Sequence, residues 1–288
     1  LPVDRVSRLS QRAWLVRSGD REWVLRLHNP ELQIYHPGEI AALEFLESLD
    51  YPAPRLLPAH GGNVLIPWGD DIGYTVSYLP GESIDRSLET TREIGRLIAG
   101  VHTLNVSDTD IPETQHSVVV RRDQFRRNEV NPEIRSWEGF GAIHQELSSA
   151  WEDLPDFKDL PQVLIHSDLL YHNVIRTPNG DLALIDWDGT GLGSAIQDIG
   201  YFFKSYAASP GADGLRTSIA HAFLAGYTEI RPLSQDEWKA IPDAMIYGSI
   251  FVVLWYERVY EPAWFRTRHI LAHRDAIGEK LSAIRESL

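Results

Sequence analysis

Cysteine is absent from the 288 residues. That excludes a disulfide framework, a thiolate metal site and a cysteine nucleophile. Methionine occurs once, at Met245. Long apolar runs are missing as well. The longest, Ile246 to Tyr256, contains Gly248 and Ser249 and falls far short of the ~20 residues that a membrane span needs. It reads as a buried helix, and no membrane partner is expected. The opening residues, Leu1-Pro2-Val3-Asp4-Arg5-Val6, have no apolar core of the secretory type, so a cytoplasmic location follows by default. The chain starts at Leu1 without an earlier Met, which leaves open a short preceding segment. Positive charge is scarce: 27 Lys and Arg stand against 41 Asp and Glu, for a formal net charge of -14. Phosphate backbones are bound by Lys/Arg surfaces, so no nucleic-acid partner is expected. The one basic cluster, Arg121-Arg122 with Arg126-Arg127, reads as a solvated helix face. An acidic protein is compatible with a cationic small substrate, although charge alone does not select one.

What is present suffices for one large core or two moderate lobes, with 43% hydrophobic and 10% aromatic residues. The first third is strand-rich. Ala13-Trp14-Leu15-Val16, the turn Ser18-Gly19-Asp20 and Trp23 to Leu27 read as a hairpin. A helix follows from about Gly38 to Leu49, with Ile40, Leu43 and Leu46 on one face. Tyr51-Pro52-Ala53-Pro54 ends it. Further strands are expected at Asn63 to Pro67 and Tyr74 to Tyr78. Leu79-Pro80-Gly81-Glu82 breaks this pattern, and beyond it the chain turns mainly helical. Thr90 with Glu93, and Ser234 with Glu237, have the spacing of capping boxes. His102, beside an apolar face, reads as a satisfied core histidine.

The densest chemistry lies in His166-Ser167-Asp168-Leu169-Leu170-Tyr171-His172-Asn173, followed after a hairpin by Leu184-Ile185-Asp186-Trp187-Asp188. Transfer of a γ-phosphoryl group asks for one carboxylate at the attacking hydroxyl and for hard oxygen ligands that hold Mg2+ on a triphosphate. Asp168 suits the first role, Asn173 and Asp186 the second. Val163 to Ile165, Val174-Ile175 and Asp181 to Ile185 read as short strands, and Pro178-Asn179-Gly180 as a turn. Asn173 and Asp186 would then lie on neighbouring elements of one hairpin, within reach of one metal. Taken singly, each residue is ordinary, since an Asp after a strand is most often a turn or cap residue. The combination carries the reading. Asp188 stays open between a metal or substrate contact and a turn carboxylate.

These paired motifs resemble those of the aminoglycoside phosphotransferase and choline kinase family of small-molecule kinases. The family pattern is His-Gly-Asp, four residues, Asn, then Ile-Asp-Phe/Trp; here Ser167 stands in place of the Gly. The resemblance runs over nearly the whole chain. It implies an α+β, bilobal protein-kinase-like fold. The small β-rich N-lobe with one main helix would be residues 1–78, and the larger, mainly helical C-lobe residues 79–288. It further implies a phosphotransferase acting on an alcohol, with ATP or GTP as co-substrate and Mg2+ as cofactor. Asp168 would be catalytic, and Asn173 and Asp186 metal ligands. Ser77, Tyr78 and Leu79 look like the hinge that receives the purine. Arg26 stands where the family sets a Lys or Arg against the α- and β-phosphates, and Glu39, with Glu44 as rival, is similar to the helix Glu that pairs with it. His166 is expected to hold loop backbone and Asp198 to buttress the catalytic loop.

The departures from the family pattern are specific. No Gly-x-Gly-x-x-Gly is present, and the expected phosphate loop, Ser7-Arg8-Leu9-Ser10-Gln11-Arg12, has no glycine. Trp187-Asp188-Gly189 follows Asp186 without an Ala-Pro-Glu segment, which argues against a protein substrate. Two stretches are candidate acceptor walls: the acidic one with Glu138, Glu146, Glu152, Asp153, Asp156 and Asp159, and the aromatic one with Trp255, Tyr256, Glu257, Tyr260, Glu261 and Trp264. For any single residue the plainer reading is preferred, a solvated acidic helix face for the first and an ordinary aromatic core stripe for the second. An aminoglycoside-type antibiotic is the first acceptor considered, then a metabolic alcohol such as homoserine, choline or a sugar; a nucleotide-binding regulatory module is the non-enzymatic alternative.

Overall fold

The computed structural model describes residues 3–10, 12–28, 36–126, 136, 140–209, 214–255 and 260–288. Alternating side chains and tight turns build the N-terminal part. Strands β1 (Arg5–Arg8), β2 (Ala13–Ser18) and β3 (Arg21–His28) form consecutive antiparallel pairs. Gly19, at φ +56°, supplies the left-handed residue in the turn between β2 and β3, and its N–H is received by the Asp4 carboxylate at 2.6 Å. Helix α1 (His36–Ser48) buries Ala42, Leu43 and Leu46. After it, β4 (Ile66–Trp68) and β5 (Asp71–Ser77) complete a five-stranded sheet of order β1-β2-β3-β5-β4. The register sets Arg26 of β3 directly opposite Tyr74 of β5. The expected strand at Asn63 to Pro67 is shorter and later, Ile66–Trp68, and lies at the sheet edge, the position that Pro67 permits.

Beyond β5 the chain is mainly helical. Strand β6 (Glu82–Ser83) leads into α2 (Leu88–His102), followed by α3 (Val118–Arg126) and α4 (Phe140–Asp153). Next come β7 (Gln162–Ile165), a 3-10 turn over Tyr171–Asn173, and the hairpin of β8 (Val174–Arg176) and β9 (Leu182–Leu184). Strand β10 (Gly191–Ser194) pairs antiparallel with β7 and runs straight into α5 (Ala195–Phe202). The remaining helices are α6 (Thr217–Ile230), α7 (Gln235–Trp255), α8 (Tyr260–Ala272) and α9 (Arg274–Ser287). The capping box at Ser234 and Glu237 forms as its spacing predicts: the Glu237 carboxylate accepts the Ser234 N–H at 2.8 Å, and Ser234 Oγ accepts the Glu237 N–H at 3.2 Å. The box at Thr90 does not form. Ser87 caps α2 by accepting the Thr90 N–H at 3.1 Å, and Glu93 instead pairs with Arg176 at 2.7 Å.

The tightest crossing joins α2 to α6. A Cβ on Gly95 would collide with the Phe223 carbonyl, and one on Gly226 with the Arg92 carbonyl. Both obstacles are backbone, so neither can swing aside. Alanine is favoured over glycine by about 1 kcal/mol in a helix interior, yet overpacking typically costs 1–3 kcal/mol. Gly95→Ala is therefore expected to lower stability by about 1–2 kcal/mol in urea unfolding. A gain would show that the two helices can separate freely.

Candidate active site

One buried carboxylate organises the loop after β7. Asp198, on the first turn of α5, is fully buried and accepts the His166 N–H at 2.8 Å and the Ser167 N–H at 2.7 Å. Its Oδ2 also accepts from His102 Nε2 at 3.1 Å, while His102 Nδ1 meets the Tyr227 hydroxyl at 2.8 Å. Burial pushes the His102 pKa down despite Asp198, which favours the neutral ring; facing a carboxylate, Nε2 is then the donor and Nδ1 is left to accept. Ser167 has φ +68°. This is the left-handed region that glycine enters without strain, which accounts physically for the Gly at this position in the family pattern. The two charge-assisted bonds to Asp198 hold Ser167 there. His166 is also buried. Its Nδ1 receives the Asp168 N–H at 3.3 Å, which leaves Nε2 to donate to the Ile185 carbonyl at 3.0 Å.

That knot presents Asp168 and Asn173 together. Asn173 Nδ2 donates to Asp168 Oδ2 at 2.8 Å and to the Asp168 carbonyl at 2.9 Å. The Asn173 carbonyl in turn accepts the Ile185 N–H at 2.9 Å, tying the loop to the strand that precedes Asp186. Asp186, like Ser167, is held at positive φ, +69°. Trp187 anchors the turn from below, with its Nε1 on the Leu184 carbonyl at 3.1 Å and its ring against His166.

Arg26 joins the sheet to this turn. Its guanidinium lies 2.5 Å from Asp186 Oδ1, 3.1 Å from Asp188 Oδ2 and 3.8 Å from Glu39 Oε1. Burial alone would lower the Arg26 pKa, but Tyr74, Glu39, Asp186 and Asp188 together raise it. Glu39 is buried against Arg26 and receives the Tyr74 hydroxyl, whereas its rival Glu44 is exposed. Burial is also the main cause that raises Asp188, followed by the charge of Asp186, while Arg26 holds Asp186 below the usual carboxylate range. Each side chain is 42% exposed, so water blunts both effects. Two carboxylates already share one cation here, and the Asn173 amide is adjacent in the chain to the β8–β9 hairpin that leads to them. Such hard oxygens fit Mg2+, which takes one or two protein carboxylates together with phosphate oxygens. Among the described residues no group of three or more His, Asp or Glu converges as a complete protein cage.

The hinge segment is partly engaged. The Ser77 N–H donates to the Arg55 carbonyl at 2.8 Å and the Tyr78 N–H to the Glu22 carbonyl at 3.3 Å. Among the described residues, the Leu79 N–H has no backbone acceptor. In the turn after β1, the Leu9 and Ser10 N–H groups are both closed onto the Ala13 carbonyl, at 2.9 and 3.2 Å. Gln11 lies outside the described residues.

The two expected acceptor walls fare differently. Glu146, Glu152, Asp153, Asp156 and Asp159 are exposed, while Glu138, Tyr256 and Glu257 lie outside the described residues, as do the side chains of Trp255, Tyr260, Glu261 and Trp264. Sequence reasoning missed a cavity of about 690 Å³ beside the loop that carries Asp168, lined by Tyr171 and Tyr206 together with Arg86, Arg216, Arg266 and His269. No local signal could have found it, because its walls come from five separate stretches of chain.

With this geometry in hand, comparison with known proteins gives a consistent picture. A family model described as phosphotransferase enzyme family matches residues 4–233. Homoserine kinase of Methylobacterium radiotolerans is 26% identical over 208 residues, covering 72% of this chain and 64% of that protein. The chain thus spans just under two thirds of that relative's length. Among solved structures, amicoumacin kinase in complex with AMP-PNP, Ca2+ and Ami superposes with a TM-score of 0.64 at 16% identity, over 96% of this chain and 89% of that one. Aminoglycoside phosphotransferase from Alicyclobacillus acidocaldarius gives 0.60 at 12% identity, over 99% and 92%. The fold is that of the protein-kinase-like phosphotransferases, a sheet-rich N-terminal part followed by a helical C-terminal part.

Proposed function

Since the chain belongs to the phosphotransferase enzyme family, we propose that it moves the γ-phosphoryl group of ATP or GTP to a hydroxyl of a small molecule. One observation carries the reading: Asp168 and Asn173 are bonded at 2.8 Å in a loop pinned by Asp198, and the next motif's Asp186 and Asp188 already share the Arg26 cation. In this reading Asp168 orients the acceptor hydroxyl and takes its proton as the oxygen attacks the γ-phosphorus. Arg26 exchanges its carboxylate partners for α- and β-phosphate oxygens, steadied on its other side by Glu39. Asn173 and Asp186 would hold Mg2+, whose charge offsets that of the triphosphate. The purine lies against Ser77, Tyr78 and Leu79, with the Leu79 N–H, which has no backbone acceptor among the described residues, as donor.

The division into lobes at 1–78 and 79–288 and a cytoplasmic setting, where nucleotide triphosphates are supplied, belong to the same proposal. Among the described residues no helix is long and apolar enough to cross a membrane. The acceptor is a small alcohol; the homoserine kinase relative supports a metabolic one, and the amicoumacin kinase fold an antibiotic.

The test is Mg2+-dependent release of ADP or GDP in the presence of aminoglycosides, homoserine, choline, ethanolamine and sugars. Release that requires both an acceptor and Mg2+ supports the kinase. Tight nucleotide binding without release for any acceptor would favour the regulatory module. Arg26→Ala is expected to raise the nucleotide KM by about 10- to 100-fold, from the loss of charge-assisted bonds worth about 1.5–3 kcal/mol. An unchanged KM would remove Arg26 from the phosphate site.

A further inference from the structure

The cavity beside the catalytic loop has the opposite charge from the chain as a whole. Its wall includes Arg86, Arg216, Arg266 and His269, and among the described residues no Asp or Glu lines it, although the protein carries a formal charge of -14. Among the described residues Arg86, Arg216 and Arg266 form no ion pair with Asp or Glu. Arg86 instead lies over the rings of Tyr171 and Tyr206, 5.5 and 5.6 Å from their centroids. Arg216 is the N-cap residue of α6, and Ile219 of the first turn also lines the cavity. The positive end of that helix dipole therefore adds to the arginines.

The cavity is also joined to the reacting centre. Tyr171 belongs to the catalytic loop, three residues beyond Asp168, and its N–H donates to the Tyr206 hydroxyl at 3.2 Å. Tyr206 and Lys204 sit on a π-helical turn, Phe203–Ala207, that continues α5. Such turns are rare and recur at functional sites. Lys204 is buried, with its ammonium 3.7 Å from the Tyr201 ring centroid. Burial lowers its pKa to about 7; Arg266 pushes the same way and Asp168 opposes. Lys204 thus lies within electrostatic reach of both the cavity's Arg266 and Asp168.

We propose that this cavity is the acceptor subsite and that it selects an alcohol bearing an anionic group, a carboxylate or a phosphate. Guanidinium groups bind both anions through paired N–H bonds, and arginines grouped around a concave wall, with no acidic partner among the described residues, favour neither a polycation nor a quaternary amine. A bound anion would stand between Arg216 and Arg266 and set the acceptor's hydroxyl toward Asp168. Of the acidic stretch first considered as an acceptor wall, Glu146, Glu152, Asp153, Asp156 and Asp159 are exposed surface on and after α4. This inference rests on the phosphotransfer reading, of which it specifies the acceptor.

The experiment is calorimetric titration of the full chain, saturated with Mg2+ and AMP-PNP, using glycerate, glycerol 3-phosphate, glycerol and choline as probes. Either anionic alcohol is expected to bind at least about 10-fold more tightly than glycerol or choline, and which of the two binds more tightly separates carboxylate from phosphate recognition. The Arg216→Ala/Arg266→Ala double variant should lose about 10- to 100-fold of that affinity. Both residues are exposed, so the core is untouched. Equal or tighter binding of glycerol or choline, no anion binding up to tens of millimolar, or anion binding unmoved in the double variant would each overturn the proposal. Failure of the kinase reading itself would appear separately, as loss of AMP-PNP binding or as nucleotide release that no acceptor stimulates.

Discussion

Replacing Asp168 by Asn is expected to lower kcat for phosphoryl transfer by about 10³-fold while leaving nucleotide affinity within a few-fold of the parent. General-base catalysis typically contributes 10²- to 10⁴-fold, and the amide cannot take a proton at neutral pH. The substitution suits the site because Asp168 Oδ2 is an acceptor, receiving Asn173 Nδ2 at 2.8 Å. The oxygen of an Asn side chain can receive the same bond, so the loop should keep its shape. Asp168→Ala would be less informative, since Asn173 would lose a partner and the proposed metal ligands could shift. Steady-state kinetics with the active acceptor, together with nucleotide titration of both proteins, separate chemistry from binding. Activity within about 10-fold of the parent would remove Asp168 as the base, because that loss lies below the usual contribution of one.

The parts of this site that were legible in the sequence are those written within one short stretch. Asp168, Asn173 and Asp186 follow one another along a loop and a hairpin whose turn residues are explicit, so their proximity is nearly a local property. The Ser18-Gly19-Asp20 turn and the Ser234 cap are local too, and both form. Thr90 was misread because Ser87, Thr90 and Thr91 all offer cap oxygens within one turn. The choice fell to Ser87, whose N–H and whose neighbour Thr90 are both bonded to Asp85. Arg26 illustrates the opposite limit. Its strand position was readable, but its bond to Asp188 spans 162 residues, and no periodicity encodes which carboxylates a cation will meet across a cleft. The same applies to the arginine-lined cavity. Net charge could not reveal it, because it averages over the whole surface and conceals one positive concavity. The preference of Ser167 for a glycine-like backbone was equally hidden, since a Ser-for-Gly exchange reads as a simple substitution until φ is known.

Asp198→Ala is expected to be the most damaging single change outside the reacting groups. Three donors converge on this carboxylate: the backbone N–H groups of His166 and Ser167 and the His102 Nε2. Alanine would leave all three buried without an acceptor, at about 1–3 kcal/mol for each donor that water cannot reach. Ser167 would also lose the bonds that hold it at positive φ. A loss of about 3–5 kcal/mol is expected in urea unfolding, a large share of the 5–15 kcal/mol typical of a folded domain. Activity should fall even where the protein remains folded, because Asp168 directly follows the two freed N–H groups. Ser167→Gly is the companion variant. It removes the strain and keeps Asp198, so its stability should stay within about 1 kcal/mol of the parent. Acid should act on the same knot. The folded pKa of His102 lies below its ordinary 6.5, and burial lowers His116 well below that value too. In each case the unfolded chain binds the proton more readily, so stability is full above about pH 6.5 and declines as pH falls below it. His102→Gln, which can keep a side-chain donor toward Asp198 without titrating there, should flatten part of that decline. An Asp198→Ala protein within 1 kcal/mol of the parent would show instead that solvent or a rearranged loop satisfies the three donors, and that Asp198 does not hold the site together.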